Sequence, residues 1–364
     1  MALSAFPQQP EPAIESIAAD ARRQMAKGEF DAARQSMEQA WKLAGALPRE
    51  DVRRYNTLKH FVAVLTGLAE YEEAETYLNL AIHWRETVKG PADEKIPDEL
   101  MQMAHLHRLR GDFQGAMEIL QRVLLMRTRT KGFESIEVAD LLSLQALVCI
   151  EQQENIQAVA FLRQSLLLRG KLLGEDHPTL VPDLDRMGAM QATMRNYAES
   201  ETAFRRVLLI REAMLGKDDP DLLATLDGLA YALFGQKKHP EAEAVYLRLL
   251  DLWVKTSGPE HPMVAWAYDK LAILYQDQKD ESKRKPAADN ANAVRAIVLG
   301  KGLLAEATTQ AASGDRVAAL ELLKQAQQAL LMKHQRLEPL RKQIDDLLKQ
   351  LAAPPKTKKS AGNI

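Results

Sequence analysis

A short sequence tag recurs in this chain at a fixed interval. The segment 173-LGEDHPTL-180 returns with small changes as 215-LGKDDPDL-222 and again as 257-SGPEHPMV-264. Glycines continue the series at the same 42-residue interval: Gly90, Gly132, Gly174, Gly216, Gly258 and Gly300. Self-similarity at a period of about 20–50 residues is typical of solenoids, in which each repeat packs mainly against its neighbours. The interval therefore predicts a stack of similar structural units.

Each unit is predicted to be a helical hairpin. Within 222–258, apolar residues follow the i, i+3, i+4, i+7 spacing of an amphipathic helix, at Leu226, Leu229, Ala230 and Leu233. A second apolar pattern follows at Ala242, Tyr246 and Leu249. Between the two patterns, 235-GQKKHPE-241 has the glycine, proline and charge of a tight turn.

The recurring tag is predicted to separate one hairpin from the next. Gly216 stands where a glycine would end the preceding helix, and Asp218 and Asp219 can cap the following one. Pro220 suits the first turn of that helix, because its missing N–H would be unpaired there in any case. The tag is thus explained by helix boundaries and requires no chemical function.

Composition excludes several function classes. The 364 residues are 46% hydrophobic, which is enough to bury a large core. Lys and Arg number 48 and Asp and Glu number 50, so the formal net charge of −2 provides no overall field that would attract nucleic acid or an anionic membrane. No apolar run approaches the roughly 20 residues of a spanning helix. We expect neither a nucleic-acid partner nor membrane insertion.

The single cysteine and the N-terminus bear on the compartment. Cys149 alone cannot build an internal disulfide framework or a cysteine-based metal cluster. The segment 1-MALSAFPQQPEP-12 lacks the basic region and the long apolar region of an export signal. We predict a cytoplasmic protein, with an exported or periplasmic form as the alternative if 3-LSAF-6 is the remnant of a processed signal.

Small residues recur where the two helices of a hairpin must approach closely. They follow the 42-residue interval in the first helices, at Ala104, Ala146, Gly188, Ala230 and Ala272, and in the second helices, at Ala74, Ala116, Ala158, Ser200 and Ala242. Larger residues follow four positions after the second series, at Leu120, Leu162, Phe204 and Tyr246.

This order of small and large residues resembles the tetratricopeptide repeat. The 42-residue length resembles the repeats of the kinesin light chain and nephrocystin group, over residues from about 14 to about 335. The resemblance implies an all-α fold, a right-handed α-solenoid of about eight helical hairpins. It also implies that the first helices line a concave groove in which partners bind.

The ends of the chain depart from the regular pattern. We predict an N-terminal extension over 1–12, the repeat superhelix over 13–335, a capping helix over 336–353 and a disordered Pro/Lys-rich tail over 354–364. The second helix of the unit that begins near 264 is degraded over 281–293, where we expect irregular packing or mobility.

The sequence offers no converging catalytic or metal-binding residues. It contains no HExxH motif, phosphate-binding loop or nucleophile elbow. His177 and His261 are interpreted as helix-start residues, because equivalent positions in adjacent units lie too far apart to share a metal. Cys149 falls on the apolar stripe of its helix and is interpreted as a core residue. We predict a protein that is not an enzyme and has no cofactor or metal.

Three carboxylates lie in register just beside the apolar stripe of successive first helices: Asp185, Asp227 and Asp269. The equivalent upstream place holds Lys59, and His105 and Arg108 extend a basic surface there. Aromatic residues project beside the stripe at Tyr231, Phe234 and Trp266, where they could anchor a partner. These nine residues form the predicted partner-binding set, with solvated helix-face residues as the alternative interpretation of the carboxylates.

Two functions from different classes remain open at this point. The first is a noncatalytic scaffold or adaptor that binds a peptide or a partner helix in the concave groove. The second is a permanent structural subunit of a larger complex, held by its convex or terminal surfaces. A third possibility, a regulator whose superhelix compresses on binding a signalling peptide, is selected by no feature of the sequence.

Overall fold

The computed structural model describes residues 11–352, and side chains from Ile14 onward. These residues form sixteen α-helices, three short 3-10 turns and no strand. The described residues divide into two compact units, one up to Asp183 and one from Leu184, each of which is described by itself. Residues 1–10 and the predicted tail at 354–364 lie outside the described range.

The first unit consists of consecutive antiparallel hairpins. Their helices are α1 Glu11–Ala26, α2 Phe30–Ala44, α3 Val52–Gly67, α4 Tyr71–Val88, α5 Ile96–Leu109, α6 Phe113–Lys131, α7 Ile136–Glu151 and α8 Asn155–Leu173. Contacts join each helix mainly to the next one along the chain. The main core of the unit is built on Phe61, Leu65, Leu78 and Leu120, all buried. Burial of such apolar stripes is the principal stabilising contribution in a stack of hairpins.

The second unit repeats the arrangement and ends differently. Its helices are α9 Val181–Thr193, of which the first three residues are counted in the first unit, α10 Tyr197–Leu215, α11 Leu223–Gly235, α12 His239–Ser257, α13 Pro262–Asp277, α14 Glu281–Ser313, α15 Arg316–Ala329 and α16 Glu338–Ala352. Helix α16 packs on α14 and α15 through Leu340 and Ile344. The fold class predicted from the sequence, an all-α solenoid of helical hairpins, is confirmed.

The recurring tag marks helix boundaries as predicted. Gly216 ends α10 with φ +90°, a conformation that side chains other than glycine's rarely adopt. The Asp219 carboxylate then accepts a hydrogen bond of 2.8 Å from the backbone N–H of Asp221 and so caps the turn Pro220–Leu222. His177 and His261 serve the same purpose, since each Nδ1 accepts a backbone N–H two residues later at 3.3 Å. Their interpretation as helix-start residues is confirmed.

The small residues allow the close approach that their spacing predicts. A Cβ atom at Gly188 on α9 would lie 2.9 Å from the ring of Phe204 on α10, so a larger residue would push the two helices apart. Ser200 is buried, and its hydroxyl donates a hydrogen bond of 2.8 Å to the carbonyl of Gly188.

The Cys149 side chain is fully buried, and burial raises the pKa of its thiol to about 11. Cys149 is therefore a core residue, as predicted.

The turn inside each hairpin requires a left-handed backbone. The residues at this place follow the 42-residue interval, have φ between 58° and 81°, and are Ala69, Gly111, Gln153, Arg195, Lys237 and Lys279. Only one of them is glycine, so the sequence carries no signal of the requirement. A non-glycine residue in this region costs about 1–2 kcal/mol, which the surrounding helix packing must offset.

Helix α14 continues past Gly300, where the sequence predicts the end of a helix. Gly300 stands in the 42-residue series, yet it lies inside α14, which continues to Ser313 and ends at Gly314 with a left-handed backbone. The tag is incomplete here, because 301-KGLL-304 supplies neither the capping acid nor the proline. The absence of a side chain at Gly300 serves packing instead, since a Cβ atom would lie 3.0 Å from Leu340 and 3.3 Å from Leu330.

Candidate functional site

The three in-register carboxylates lie in the second unit, on α9, α11 and α13, and they differ in their partners. Asp185 binds the guanidinium of Arg211 on α10 at 2.6 Å. Asp269 pairs in the same way with Arg295 on α14. Oxygen Oδ1 of Asp227 is buried and accepts no hydrogen bond from the described residues. One carboxylate of the three is therefore left without the partner that the other two have.

A periodic arginine explains this difference. Arginine recurs at the 42-residue interval in the second helices of the hairpins, at Arg85, Arg127, Arg169, Arg211 and Arg295. Arg85 pairs with Asp93 at 2.9 Å, Arg169 pairs with Asp140 at 2.7 Å, and Arg127 pairs with Asp98. The position between Arg211 and Arg295 holds Trp253. Trp253 corresponds in register to Asp227, because carboxylate and arginine stand 26 residues apart in the neighbouring pairs.

Burial dominates the ionisation of two of the carboxyls. Burial raises the pKa of Asp185 even though the Arg211 guanidinium opposes the shift. Burial likewise raises the pKa of Asp227, and the positive charge of Lys270 opposes it only in part. Charged forms of buried groups are disfavoured unless a partner compensates for the lost hydration. Asp227 is thus a carboxylate for which an additional positive neighbour would be favourable.

A cavity of about 650 Å³ opens beside Asp227 among α10, α11, α12 and α13. Its lining residues are Arg211, Pro220, Asp221, Leu223, Ala224, Asp227, Leu249, Trp253, Met263 and Trp266. The Trp253 ring stacks on the imidazole of His261, with centroids 5.2 Å apart and planes 8° apart. The ammonium of Lys270 lies 5.0 Å from the centroid of the Trp266 ring. The cavity therefore combines two indole side chains with one carboxylate that has no arginine.

The structure brings together only part of the predicted partner-binding set. Asp227 and Trp266 line the same cavity, whereas Tyr231 and Phe234 lie further along α11 and are not part of its lining. Tyr231 is 41% exposed and packs edge-on against Tyr197 at 5.9 Å. Phe234 is half-buried, and the ammonium of Lys237 lies 5.5 Å from the centroid of its ring. Both remain predicted contacts on the same helix as Asp227.

The predicted basic residues of the first unit are each tied to neighbours. Lys59 donates to the buried carboxylate of Glu99 at 2.7 Å, and Arg108 pairs with Glu151. His105 accepts from Arg108 at 3.2 Å, and burial lowers the pKa of its imidazole, with the Arg108 charge contributing. These contacts reduce the positive charge that the residues present to a partner, and a role for them in binding stays a prediction.

The predicted partner-binding set does not include Arg211, Arg295 or Trp253. The signal is present, because the 42-residue interval that locates the glycines also locates the arginines and their single replacement. The predicted contacts all come from the first helices of the hairpins, whereas the arginines come from the second helices.

Other kinds of site are not apparent in the described range. Among residues 11–352, none of the helices combines the length and apolar character that crossing a bilayer requires. Across the same part of the chain, no three His, Cys, Asp or Glu side chains converge in a way that would hold a metal ion.

Helical hairpins at a constant interval define the class of protein, an all-α repeat solenoid. Two tetratricopeptide repeat family models match the chain, one over residues 180–246 and 221–283 and the other over residues 100–137 and 146–179. These segments are tetratricopeptide repeats, as their spacing predicts. No curated protein matches it at a significant level.

The first two of the following solved structures share the fold, and the third is a similar chain over part of its length. The C-terminal part of a TPR repeat-containing protein from Cytophaga hutchinsonii is 13% identical with a TM-score of 0.54, covering 76% of this chain and 95% of that one. A STAND protein with a tetratricopeptide repeat sensor from Pyrococcus horikoshii is 13% identical with a TM-score of 0.58, covering 81% and 44%. A protein of Podosopora anserina with "kinesin light chain nearly identical TPR-like repeats" is 20% identical with a TM-score of 0.48, covering 55% and 95%.

Proposed function

We propose that this protein is a noncatalytic scaffold that binds a peptide or a partner helix on the first-helix surface of its second unit. Tetratricopeptide repeats generally mediate contacts between proteins, which is the coarser statement that the fold supports. The observation that carries the finer proposal is the cavity at which Asp227 and Trp266 meet. A half-buried aromatic residue beside a desolvated charge is the composition of a binding hot spot.

The prebuilt nature of the surface favours reversible binding. Asp227, Tyr231 and Phe234 lie on one face of α11, and the helix is held in place by fully buried residues such as Leu226 and Leu229. A partner would therefore bind without ordering the scaffold, which keeps the entropic cost of association low. The net charge of −2 favours a protein partner over a nucleic acid. We assign the scaffold to the cytoplasm within the same proposal, and fractionation of the source cells tests this assignment.

Affinity purification of the tagged full chain from its source cells, with partners identified by mass spectrometry after crosslinking, tests the proposal. The test variant combines Asp227→Lys with Trp266→Ala. The control is Glu306→Lys, which makes the same charge change at an exposed position of α14. We expect at least one partner to be depleted in the test variant alone, while circular dichroism shows equal helix content. Recovery of the same partners from all three proteins would contradict the proposal.

A permanent structural subunit is a second candidate, favoured by exposed leucines in the first unit. Leu125 on α6 and Leu167 on α8 occupy equivalent positions of the 42-residue repeat and are 62% and 70% exposed. Large apolar side chains repeated on one surface are typical of protein interfaces. Light scattering of the purified chain separates the candidates: the scaffold is expected to be monodisperse alone. The subunit is expected to self-associate, and Leu125→Glu with Leu167→Glu is expected to suppress that association.

A further inference from the structure

One exception interrupts the periodic arginines. In the hairpins on either side of α11–α12, a second-helix arginine binds the first-helix carboxylate, as Arg211 binds Asp185 and Arg295 binds Asp269. Trp253 occupies the corresponding place in α12. Asp227 on α11 thus occupies the position of the paired carboxylates in the flanking hairpins. At the position where those hairpins have an arginine, α12 has the aromatic side chain of Trp253.

The carboxylate itself is in an unfavourable state. Oxygen Oδ1 of Asp227 is buried and has no hydrogen-bond donor among the described residues. A buried acceptor that lacks a donor is destabilised relative to the same group in water, because it has lost its hydration without replacement. Because the Asp227 side chain lines the cavity, a ligand that brings a donor to this carboxyl group there would replace part of the lost hydration. A cationic donor is favoured over a neutral one, because it adds the attraction between opposite charges to the hydrogen bond.

The surroundings of Asp227 suit a planar cation. Two indole rings, of Trp253 and Trp266, line the cavity together with the carboxylate. Indole faces attract cations, and a guanidinium can stack on a ring while it donates hydrogen bonds in its own plane. Lys270 already lies 5.0 Å from the centroid of the Trp266 ring, so this ring accepts a cation within the molecule.

The charges around the cavity leave room for one more positive group. Arg211 reaches the lining, but it is engaged by Asp185 at 2.6 Å and by the hydroxyl of Thr225. Lys270 is placed over Trp266, and its charge opposes the raised pKa of Asp227 only in part. Asp221, exposed at the mouth of the cavity, adds a second negative charge.

We propose that Asp227, Trp253 and Trp266 form a subsite that binds the guanidinium of an arginine side chain carried by a partner protein. The partner's arginine would occupy the place that the chain's own arginine occupies in the neighbouring hairpins, with its fork toward Asp227 and its plane against the indoles. The inference rests on the proposed function, because it states the chemistry of one position on the proposed binding surface.

Nuclear magnetic resonance of the indole N–H groups tests the subsite directly. The chain has four tryptophans, so the spectrum contains four indole signals, assigned by single Trp→Phe variants. The probe is the peptide acetyl-Gly-Arg-Gly-amide, and its neutral counterpart carries citrulline in place of arginine. We expect the arginine peptide to shift the signals of Trp253 and Trp266 and to leave those of Trp41 and Trp84 unchanged. We expect the citrulline peptide to bind at least about tenfold more weakly.

Two variants extend the test. Asp227→Asn keeps the shape of the side chain and removes its charge, and it is expected to weaken binding of the arginine peptide by at least about tenfold. Trp253→Arg restores the arginine of the neighbouring hairpins, and it is expected to abolish binding because its own guanidinium then pairs with Asp227. Glu306→Gln is the matched control, since it removes an exposed carboxylate from α14 and should leave the affinity unchanged.

Several results would overturn the proposal. They are the absence of any shift with the arginine peptide, equal shifts with the citrulline peptide, or an unchanged affinity in Asp227→Asn. Tighter binding of a matched lysine peptide would overturn the choice of guanidinium. If these probes fail while Asp227→Lys with Trp266→Ala still loses its cellular partner, the subsite is wrong and the proposed function stands. If the partner is also retained, the proposed function fails as well.

Discussion

Two neighbouring hairpins of the second unit have the same arrangement of helices, but only one of them pairs its first-helix carboxylate with an arginine. In α9–α10, Asp185 is bound by Arg211, so the charge on the first helix is satisfied within the molecule. In α11–α12, Asp227 and Trp253 line one cavity, and the buried oxygen of Asp227 has no donor among the described residues. The residues that hold the two hairpins together, such as Phe204 and Leu229, are buried in one continuous cluster. A repeat can therefore replace one residue of an ion pair while its core keeps the fold unchanged.

The largest effect is expected from breaking the satisfied pair. Arg211→Ala leaves the partly buried Asp185 carboxylate without its guanidinium and removes a donor to the buried hydroxyl of Thr225. We expect a loss of about 2 kcal/mol in the free energy of opening these helices. Hydrogen exchange of the α9–α12 amides measures it locally, which suits a repeat array whose helices need not unfold together.

The matched comparison for this prediction is Arg295→Ala. Arg295 and Asp269 form the equivalent pair, but both side chains are more exposed, 51% and 37% against 22% and 30% for Arg211 and Asp185. Solvent screens exposed pairs, so the loss is expected to stay below about 1 kcal/mol. Equal losses in the two variants would show that burial does not decide the strength of these pairs.

A smaller effect is expected at the contact that joins the two hairpins. Burial alone would raise the pKa of Glu201 on α10, but hydrogen bonds from Lys238, Arg205 and Gln236 lower it to about 2. The stabilisation is therefore present above the ordinary pKa of 4.5 and is lost as the pH falls toward about 2. We expect Glu201→Gln to cost about 1 kcal/mol at pH 7, after allowance for screening by solvent.

Acid titration of thermal unfolding checks the Glu201 prediction. The wild type and Glu201→Gln should differ at pH 7, converge below pH 4.5 and coincide near pH 2. A constant difference over this range would mean that Glu201 acts through packing and not through its charge. Glu241→Gln is a suitable control, because its pair with Arg205 lies at the exposed surface.

The smallest effect, and the only one of opposite sign, is expected at the unsatisfied carboxylate. The folded pKa of Asp227 is raised above its ordinary value of 3.8, so ionisation costs stability at neutral pH. Asp227→Asn should therefore unfold at a slightly higher temperature than the wild type at pH 7. The advantage should vanish as the pH falls through the raised pKa toward 3.8. Destabilisation at pH 7 would mean that the carboxylate has a favourable partner in solution.

The sequence predicts the framework of this protein better than its site. Gly174, Gly216 and Gly258 end helices where the interval requires, because each is followed by a capping side chain and a proline. Gly300 has the right position without these companions, and position alone was misleading. The carboxylates could be located on one face of their helices, but whether each has a partner depends on a side chain 26 residues later on another helix. The 42-residue interval locates the arginines, but which carboxylate each one binds follows from three-dimensional packing.

The continuity of α14 has a consequence for how the chain tolerates insertions and deletions. Elsewhere a residue gained or lost between helices is absorbed by a turn, and a whole 42-residue unit could be duplicated without changing the register of its neighbours. Inside α14 the same change turns everything beyond it by about 100° around the helix axis. Ala293 and Ala307 contribute to one apolar cluster with α15 and α16, so one extra residue between them would separate that cluster into two unmatched faces. The number of residues in α14 is therefore fixed by the packing at both of its ends.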